Sequence, residues 1–433
     1  MTDEGMWRAF IRADAVNDMK TEDIGQSICP MSGGTLDETA IATDLFPDLP
    51  YDDQIGRYRR NVAGYVVPEP YRKLGGSGGL TTWLLSELMR RHEVDAVIHV
   101  RPREGQQDGI LFEYTVSKTR EDVLGAAKSR YYPIEMSEIL RVVSQSDLRF
   151  AFVGLPCFVK TIRLLQREGD IPEGRIRYCI GLVCGHLKSR HFAEYLGWQK
   201  GIEPDSLDSI DFRHKLENRP ASNYGFAVSR RNDSKEFIFP MDTVRGRDWG
   251  EGLFKNPACE FCDDVLAETA DLAVGDAWLP EYVGDPKGTN VAVVRSEGVD
   301  RIINEGIASG ELYVDDISVS EIIKSQSSGL RHRREGLSHR LARRIEEGRW
   351  VPQKRVQPAL AVSAKRRSIY DLRLKISEES SKVFVEAKRA NDLNHFEKKM
   401  SPILKKYHRE VKGGVVRRGF KKIMRILKSK IFS

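Results

Sequence analysis

The chain has 433 residues, 40% hydrophobic and 30% charged, a composition that excludes wholesale disorder and leaves room for two or three domains. No apolar run reaches about 18 residues and no basic segment followed by an apolar stretch opens the chain, so neither a transmembrane helix nor a secretory leader is expected. The net charge of +6 is uneven: Ser401 to Ser433 holds eleven Lys/Arg against Glu410 alone, which leaves a mildly acidic body and a strongly basic tail.

Residues 1–61 read as a polar, turn-rich N-terminal segment with an amphipathic start from Met6 to Met19 and an isolated Cys29-Pro30. From Val62 an α/β pattern begins. An extended run over Val66–Tyr71 leads into Gly75-Gly76-Ser77-Gly78-Gly79, and Leu80–Met89 then reads as an apolar helix. Ala96–Val100, Phe112–Val116, Leu148–Gly154 and Arg177–Val183 read as strands, with helices at Val159–Arg167 and from Ser189. Strands that alternate with helices argue for parallel pairing. Ser209–Arg213, Tyr224–Ser229 and Glu236–Pro240 suggest a smaller β insertion, and Ala270–Gly275 and Asn290–Arg295 return to the core. Arg331–Arg344 and residues 367–433 are charged and helical. The expected fold is therefore α/β, with a mostly parallel-strand core over 62–335, a smaller β-containing insertion, and a basic helical C-terminal extension over 336–433.

Six cysteines are present: Cys29, Cys157, Cys179, Cys184, Cys259 and Cys262. In a reducing, cytoplasmic setting, the default here, grouped thiols point to metal rather than to disulfides. Cys157 and Cys184 end two apolar strands, and Cys259-Glu260-Phe261-Cys262 is a C-x-x-C turn. Together they can offer four thiolates to one centre, and soft thiolates suit iron–sulfur clusters or zinc. Cys179, flanked by Tyr178 and Ile180 in mid-strand, reads as a small buried hydrophobe.

The glycine run before a helix can bring backbone N–H groups up to a phosphate, although a plain turn would look the same. Lys128-Ser129-Arg130-Tyr131-Tyr132 offers cations, a hydroxyl and rings for an anionic, flat ligand, or is a solvated turn. Asp276 ends a strand where ligands of parallel sheets bind, or caps a turn. His186, two residues after Cys184, is a polar loop residue or a donor toward the site. Lys128, Asp276 and His186 are the candidate catalytic groups, since no acid or base is singled out by a motif. Val416, Phe420, Ile423, Met424, Leu427 and Ile431 make one face of a basic amphipathic helix over 415–432, suited to an anionic membrane surface or an acidic protein. Nothing resembles a nucleic-acid module.

Several motifs occur in one order: Gly75–Gly79 with Thr81; Lys128-Ser129-x-Tyr131; Gly154-x-Pro156-Cys157; Gly181-Leu182-x-Cys184; Asp211-Phe212-Arg213-x-Lys215; and Cys259-x-x-Cys262 leading to Ala270–Asp276. In this the chain resembles the coenzyme F420 hydrogenase/dehydrogenase beta-subunit family, over roughly residues 62–335. The resemblance implies a flavin and iron–sulfur oxidoreductase. Cys157, Cys184, Cys259 and Cys262 would bind one [4Fe–4S] cluster. Gly75, Gly76, Ser77, Gly78, Gly79 and Thr81, with Lys128, Ser129, Tyr131 and Asp276, would hold FAD. The N-terminal C-x-x-C-G-x-C segment common in such proteins is reduced here to Cys29-Pro30, so a second cluster is not expected. The leading expectation is a reductase fed by an electron-donor protein or reduced cofactor and acting on a small molecule, such as a sugar or glycan precursor in polysaccharide biosynthesis, in the cytoplasm or on the inner face of a membrane. The alternatives are an enzyme that uses coenzyme F420 and a non-catalytic scaffold that binds metal through its four grouped cysteines.

Overall fold

The computed structural model describes residues 1–9, 25, 27–103, 108–233 and 235–412. The amphipathic start expected over Met6–Met19 falls largely outside these residues, and the basic helix over 415–432 lies wholly outside them. In chain order the elements are α1 (Glu38–Leu45), the short β1 (Tyr51–Asp52) and β2 (Gly56–Arg57), β3 (Arg60–Val66), α2 (Tyr71–Leu74) and α3 (Leu80–Arg90). Next come β4 (Ala96–Pro102), β5 (Phe112–Ser117), α4 (Arg120–Gly125), α5 (Ser137–Gln145), β6 (Phe150–Gly154), α6 (Pro156–Glu168), β7 (Ile176–Leu182) and α7 (His191–Trp198). The insertion contributes β8 (Leu207–His214), β9 (Gly225–Arg230) and β10 (Glu236–Pro240). The chain continues with β11 (Leu272–Asp276), β12 (Asn290–Val294), α8 (Glu297–Ala308), β13 (Leu312–Asp316), α9 (Val319–Arg333), α10 (Glu335–Glu346), α11 (Ala364–Ala390) and α12 (Leu393–Lys412).

Eight strands form one sheet in the order β13-β3-β12-β11-β7-β6-β4-β5. The four central strands, β11, β7, β6 and β4, run parallel, as the alternation of strand and helix requires. Both margins are antiparallel. The central strands are largely apolar because both faces are covered, with Arg177 of β7 and Arg101 of β4 exposed near the strand ends. Phe150 and Phe152 of β6 point to one side, with Ile162 of α6 and Val143 of α5, while Ala151 and Val153 point to the other, with Leu84 of α3 and Ile302 of α8. Cys179 sits fully buried on the first side. The insertion strands make a separate antiparallel sheet, β10-β9-β8. Its apolar face shares a core with α7, α11 and α12, where Phe192, Tyr195, Phe212, Phe226, Phe384, Phe396 and Met400 meet.

Two local features differ from expectation. The glycine run follows α2, a single helical turn, and not an extended segment: Pro68 and Pro70 end the strand, since proline cannot donate to a ladder, and Leu74 N–H then bonds Pro70 O. The helix expected over Arg331–Arg344 is broken at Arg334, whose backbone leaves the helical region between α9 and α10. Among the described residues no helix is long and apolar enough to cross a membrane.

Candidate functional site

Parallel neighbours end at the same edge of a sheet, and that edge is where this chain concentrates its chemistry. β6 ends at Gly154, and Cys157 follows as the second residue of α6. β7 ends at Leu182, and Cys184 follows two residues later. β11 ends at Asp276 itself. Cys157, Cys184 and Asp276 are therefore delivered by three adjacent strands.

The C-x-x-C turn is brought to Cys184 by the backbone. Asn256 caps a 3-10 turn over Pro257–Phe261 by accepting from Ala258 N–H at 3.0 Å. Asn256 N–H donates to Leu187 O at 2.9 Å, Leu187 N–H points at Cys259 Sγ at 3.3 Å, and Cys184 N–H donates to Val265 O at 3.1 Å. The four cysteines face one another closely enough for each charge to be felt by the rest. Burial first, and mutual repulsion with it, pushes Cys157 well above the usual thiol range, Cys262 up to about 11 and Cys184 up to about 12. Such thiols stay protonated until a cation replaces the proton.

One cation is already present. Arg333, 2% exposed at the end of α9, donates through Nη2 to Cys184 O at 3.0 Å and Gly185 O at 2.8 Å. Its Nε and Nη1 have no hydrogen-bond partner among the described residues. Burial works against the charge of Arg333, and Cys262, Cys184 and Cys259, once they are thiolates, hold its proton in place. A buried guanidinium with two idle nitrogens beside four thiols suits an anionic metal–thiolate centre.

Four thiolates suit two metal chemistries. Tetrahedral zinc, with Zn–S of about 2.3 Å, needs thiolates about 3.8 Å apart. A four-iron cubane holds its thiolates further apart, because each sulfur binds a different iron. The four thiols offer donors of the right type for either centre.

A cavity of about 720 Å³ opens along the same edge. It falls within the range of sites for a large organic ligand. Gly75, Gly76, Ser77, Gly79, Thr81, Lys128, Ser129, Tyr131, His186 and Asp276 all line it, and so does Cys184. Gly79 caps α3 with φ of +88°, a conformation that favours glycine. Gly78 lies behind this wall, where a Cβ would come within 2.7 Å of Asn290 Oδ1. Its part is close packing: Asn290 Oδ1 accepts from Leu80 N–H at 3.1 Å and its Nδ2 donates to Gly275 O at 3.1 Å, which ties the start of α3 to the sheet.

Among the three candidate catalytic groups, Lys128 pairs with Asp211 at 2.8 Å and Asp276 is gripped by Arg213 at 2.8 and 3.1 Å. Both are held as ion pairs that shape the wall. His186 is buried, its Nε2 has no partner among the described residues, and burial followed by Lys188, Lys255 and Arg333 drives its pKa far down. It faces the cavity as a neutral imidazole against Trp249, with ring centres 4.7 Å apart.

The site also contains residues beyond the candidates given a catalytic, flavin or metal role from the sequence. Arg213, apart from its grip on Asp276, donates to Gly76 O at 3.2 Å and lies over Tyr224 at 4.1 Å. Lys215 Nζ donates to Ser77 O at 2.8 Å and to Arg72 O. Arg130 lines the cavity with an unpartnered Nε. Trp249 packs edge-on against Tyr131, with ring centres 4.7 Å apart. The Asp211-Phe212-Arg213-x-Lys215 motif was the available signal for Arg213 and Lys215. Trp249 and Arg333 have none, since each acquires its role from distant segments.

Two parts of the chain match the family of the coenzyme F420 hydrogenase/dehydrogenase beta subunit: residues 61–141 match its N-terminal region, and residues 147–320 match its C-terminal region. A coenzyme F420-dependent sulfite reductase of Methanocaldococcus jannaschii is 27% identical over 246 residues, covering 53% of this chain and 34% of that protein. The chain thus spans about a third of that relative. The coenzyme F420 hydrogenase subunit beta of Methanothermobacter thermautotrophicus is 20% identical over 268 residues, covering 59% of this chain and 84% of that one. A chain of the F420-reducing [NiFe] hydrogenase complex from Methanosarcina barkeri superposes with a TM-score of 0.53 at 17% identity, over 70% of this chain and 99% of that one, a likeness of fold.

Proposed function

The chain belongs to the coenzyme F420 hydrogenase/dehydrogenase beta-subunit family, and on that footing we propose that it is an oxidoreductase that passes electrons between FAD in the cavity and one [4Fe–4S] cluster on Cys157, Cys184, Cys259 and Cys262. The observation that carries this reading is that Cys184 belongs both to the thiolate set and to the cavity wall. Bound flavin supplies two-electron exchange with an organic partner, and the cluster supplies one-electron exchange.

The residues of the chain do the holding and tuning. Backbone N–H groups at the start of α3, with Ser129 and Arg130, bind the anionic part of the dinucleotide. Arg213 and Lys215 fix the carbonyls of Gly76 and Ser77 and so preset the glycine loop. Tyr131 and Trp249 provide flat apolar surface. Arg333 and the Leu187 N–H to Cys259 Sγ contact stabilise charge on the thiolates. His186, neutral and unpartnered, offers one nitrogen toward the ligand.

The names of the relatives make reduced coenzyme F420 the first organic partner to test; sugar or glycan precursors, which rest on the sequence resemblance alone, come second. Stopped-flow mixing of the anaerobic holoprotein with reduced F420 should bleach the flavin first and reduce the cluster second. Cys184→Ser should keep the flavin phase and lose the cluster phase. A flavin that can be reduced fully while the cluster, at accessible potential, stays oxidised would contradict the relay.

A further inference from the structure

Asp248, Glu251 and His408 form a cluster apart from the cysteines, with one ligating atom from each lying within 4.8 Å of the others. Asp248 caps the turn Trp249–Glu251, its Oδ1 accepting from Gly250 N–H at 2.8 Å. His408 comes from α12, and its Nε2 lies 2.7 Å from Glu251 Oε1. Glu251 is 5% exposed, and its second oxygen, Oε2, is buried with no partner among the described residues.

Two carboxylates so close, one of them buried, repel each other. Burial and then the charge of Asp248 push the Glu251 carboxyl above its ordinary range. Two nearby cations do not bond the carboxylate: Lys188 Nζ donates to Leu253 O at 2.6 Å and Arg373 Nη2 to Tyr407 Oη at 3.2 Å. A divalent ion between the carboxylates would remove the repulsion and take up the idle lone pairs of Glu251.

The geometry points to a binding site for one late first-row divalent cation, of the Zn²⁺ class, held by Asp248, Glu251 and His408. An imidazole nitrogen in the donor set selects against Mg²⁺ and Ca²⁺, which prefer oxygen alone. His408 stands outside the matched span 61–320, in the C-terminal extension. Trp249 lies between two of the ligands and also lines the cavity. The ion therefore ties the last described helix to the cavity wall and holds the indole in place.

The test is metal counting on the holoprotein after dialysis against chelator-buffered Zn²⁺, restricted to preparations with full iron content so that free cysteines do not contribute. The wild type should hold one zinc per chain in addition to its iron. His408→Gln and Asp248→Asn should each weaken zinc binding by at least about tenfold, while His395→Gln, which alters a histidine paired with Glu386, should not. Zinc should raise the thermal midpoint of the wild type and leave that of His408→Gln unmoved. His408 is partly exposed, so its glutamine variant is expected to fold, with circular dichroism as the check, and it decides the matter if Asp248→Asn does not fold. Equal zinc in wild type and His408→Gln, or no uptake of Zn²⁺, Co²⁺ or Mn²⁺ by the wild type, would overturn the site.

Discussion

Replacing Arg333 by methionine should lower the reduction potential of the cysteine-bound centre. Two effects can be separated. Nη2 is the donor to the carbonyls of Cys184 and Gly185, and losing it costs about 1–3 kcal/mol for each group left unpaired. That is a stability effect, read by denaturant titration. The other effect is electrostatic. A unit charge at roughly 6 Å in an effective dielectric of about 20 is worth about 3 kcal/mol, which for a one-electron couple is about 120 mV. Reduction adds negative charge, so removing a neighbouring positive charge makes reduction harder and moves the potential down. Arg333→Lys keeps the charge and loses part of the hydrogen bonding, so it should recover most of the potential and only part of the stability. An anaerobic redox titration followed by electron paramagnetic resonance, on samples of matched iron content, reads the shift. A potential for Arg333→Met within about 20 mV of wild type, or above it, would refute the assignment of Arg333 as the charge partner of the centre.

Arg213→Met should destabilise the protein by about 2–4 kcal/mol, less than for a fully buried pair because Asp276 is partly exposed; the double variant with Asp276→Asn should recover part of this in urea melts. Gly79→Ala places a Cβ 2.9 Å from the Tyr71 carbonyl at a φ of +88°, so it should cost about 1–3 kcal/mol and weaken FAD binding in fluorescence titrations. Lys215 is held at about 7 by burial first and then by Arg72, Lys128 and Arg213. The FAD affinity of flavin-free protein should therefore fall as pH rises through about 7, and Lys215→Met should flatten that slope. For stability the sign is set by the folded pKa lying below the ordinary 10.5: between about 7 and 10.5 the unfolded chain binds the extra proton, so the contribution of Lys215 to stability rises with pH across that window and is lost below it.

The strands that build the site were legible because their signals are local. Phe150–Gly154 and Tyr178–Leu182 are continuous runs without a charge, and such runs belong to strands covered on both faces. A cysteine just past each run, and a C-x-x-C turn, sufficed to gather the thiolates on paper. The insertion over β8–β10 was readable from short alternating segments between polar turns. The antiparallel margins were not, since Arg60–Val66 carries no sign of which neighbour it will pair with; its partners, β12 and β13, lie more than two hundred residues on. Arg333 likewise looked like one basic residue among many. Its role depends on a helix ending beside a loop 148 residues earlier in the chain, at Gly185. Gly78 resembled its neighbours in composition, and only the packing of Asn290 against it separates the two kinds of glycine in the loop. The C-terminal helices were expected as a charged extension. Their apolar residues, Phe384, Phe396 and Met400, are spaced to fill the core beneath the insertion sheet, a destination that helical periodicity alone does not reveal.

In the oxidoreductase proposed above, the four cysteines hold a cluster and the adjoining cavity holds a flavin. Anaerobic purification followed by iron, sulfide, zinc and flavin analysis of one sample tests it most directly. About four iron, four sulfide and one FAD per chain, as one cysteine-ligated cubane requires, is the predicted result, with any zinc confined to His408-dependent binding. A colourless, flavin-free protein whose zinc is lost on substitution of Cys259 or Cys262 would contradict it and would mean that the cysteines serve structure alone.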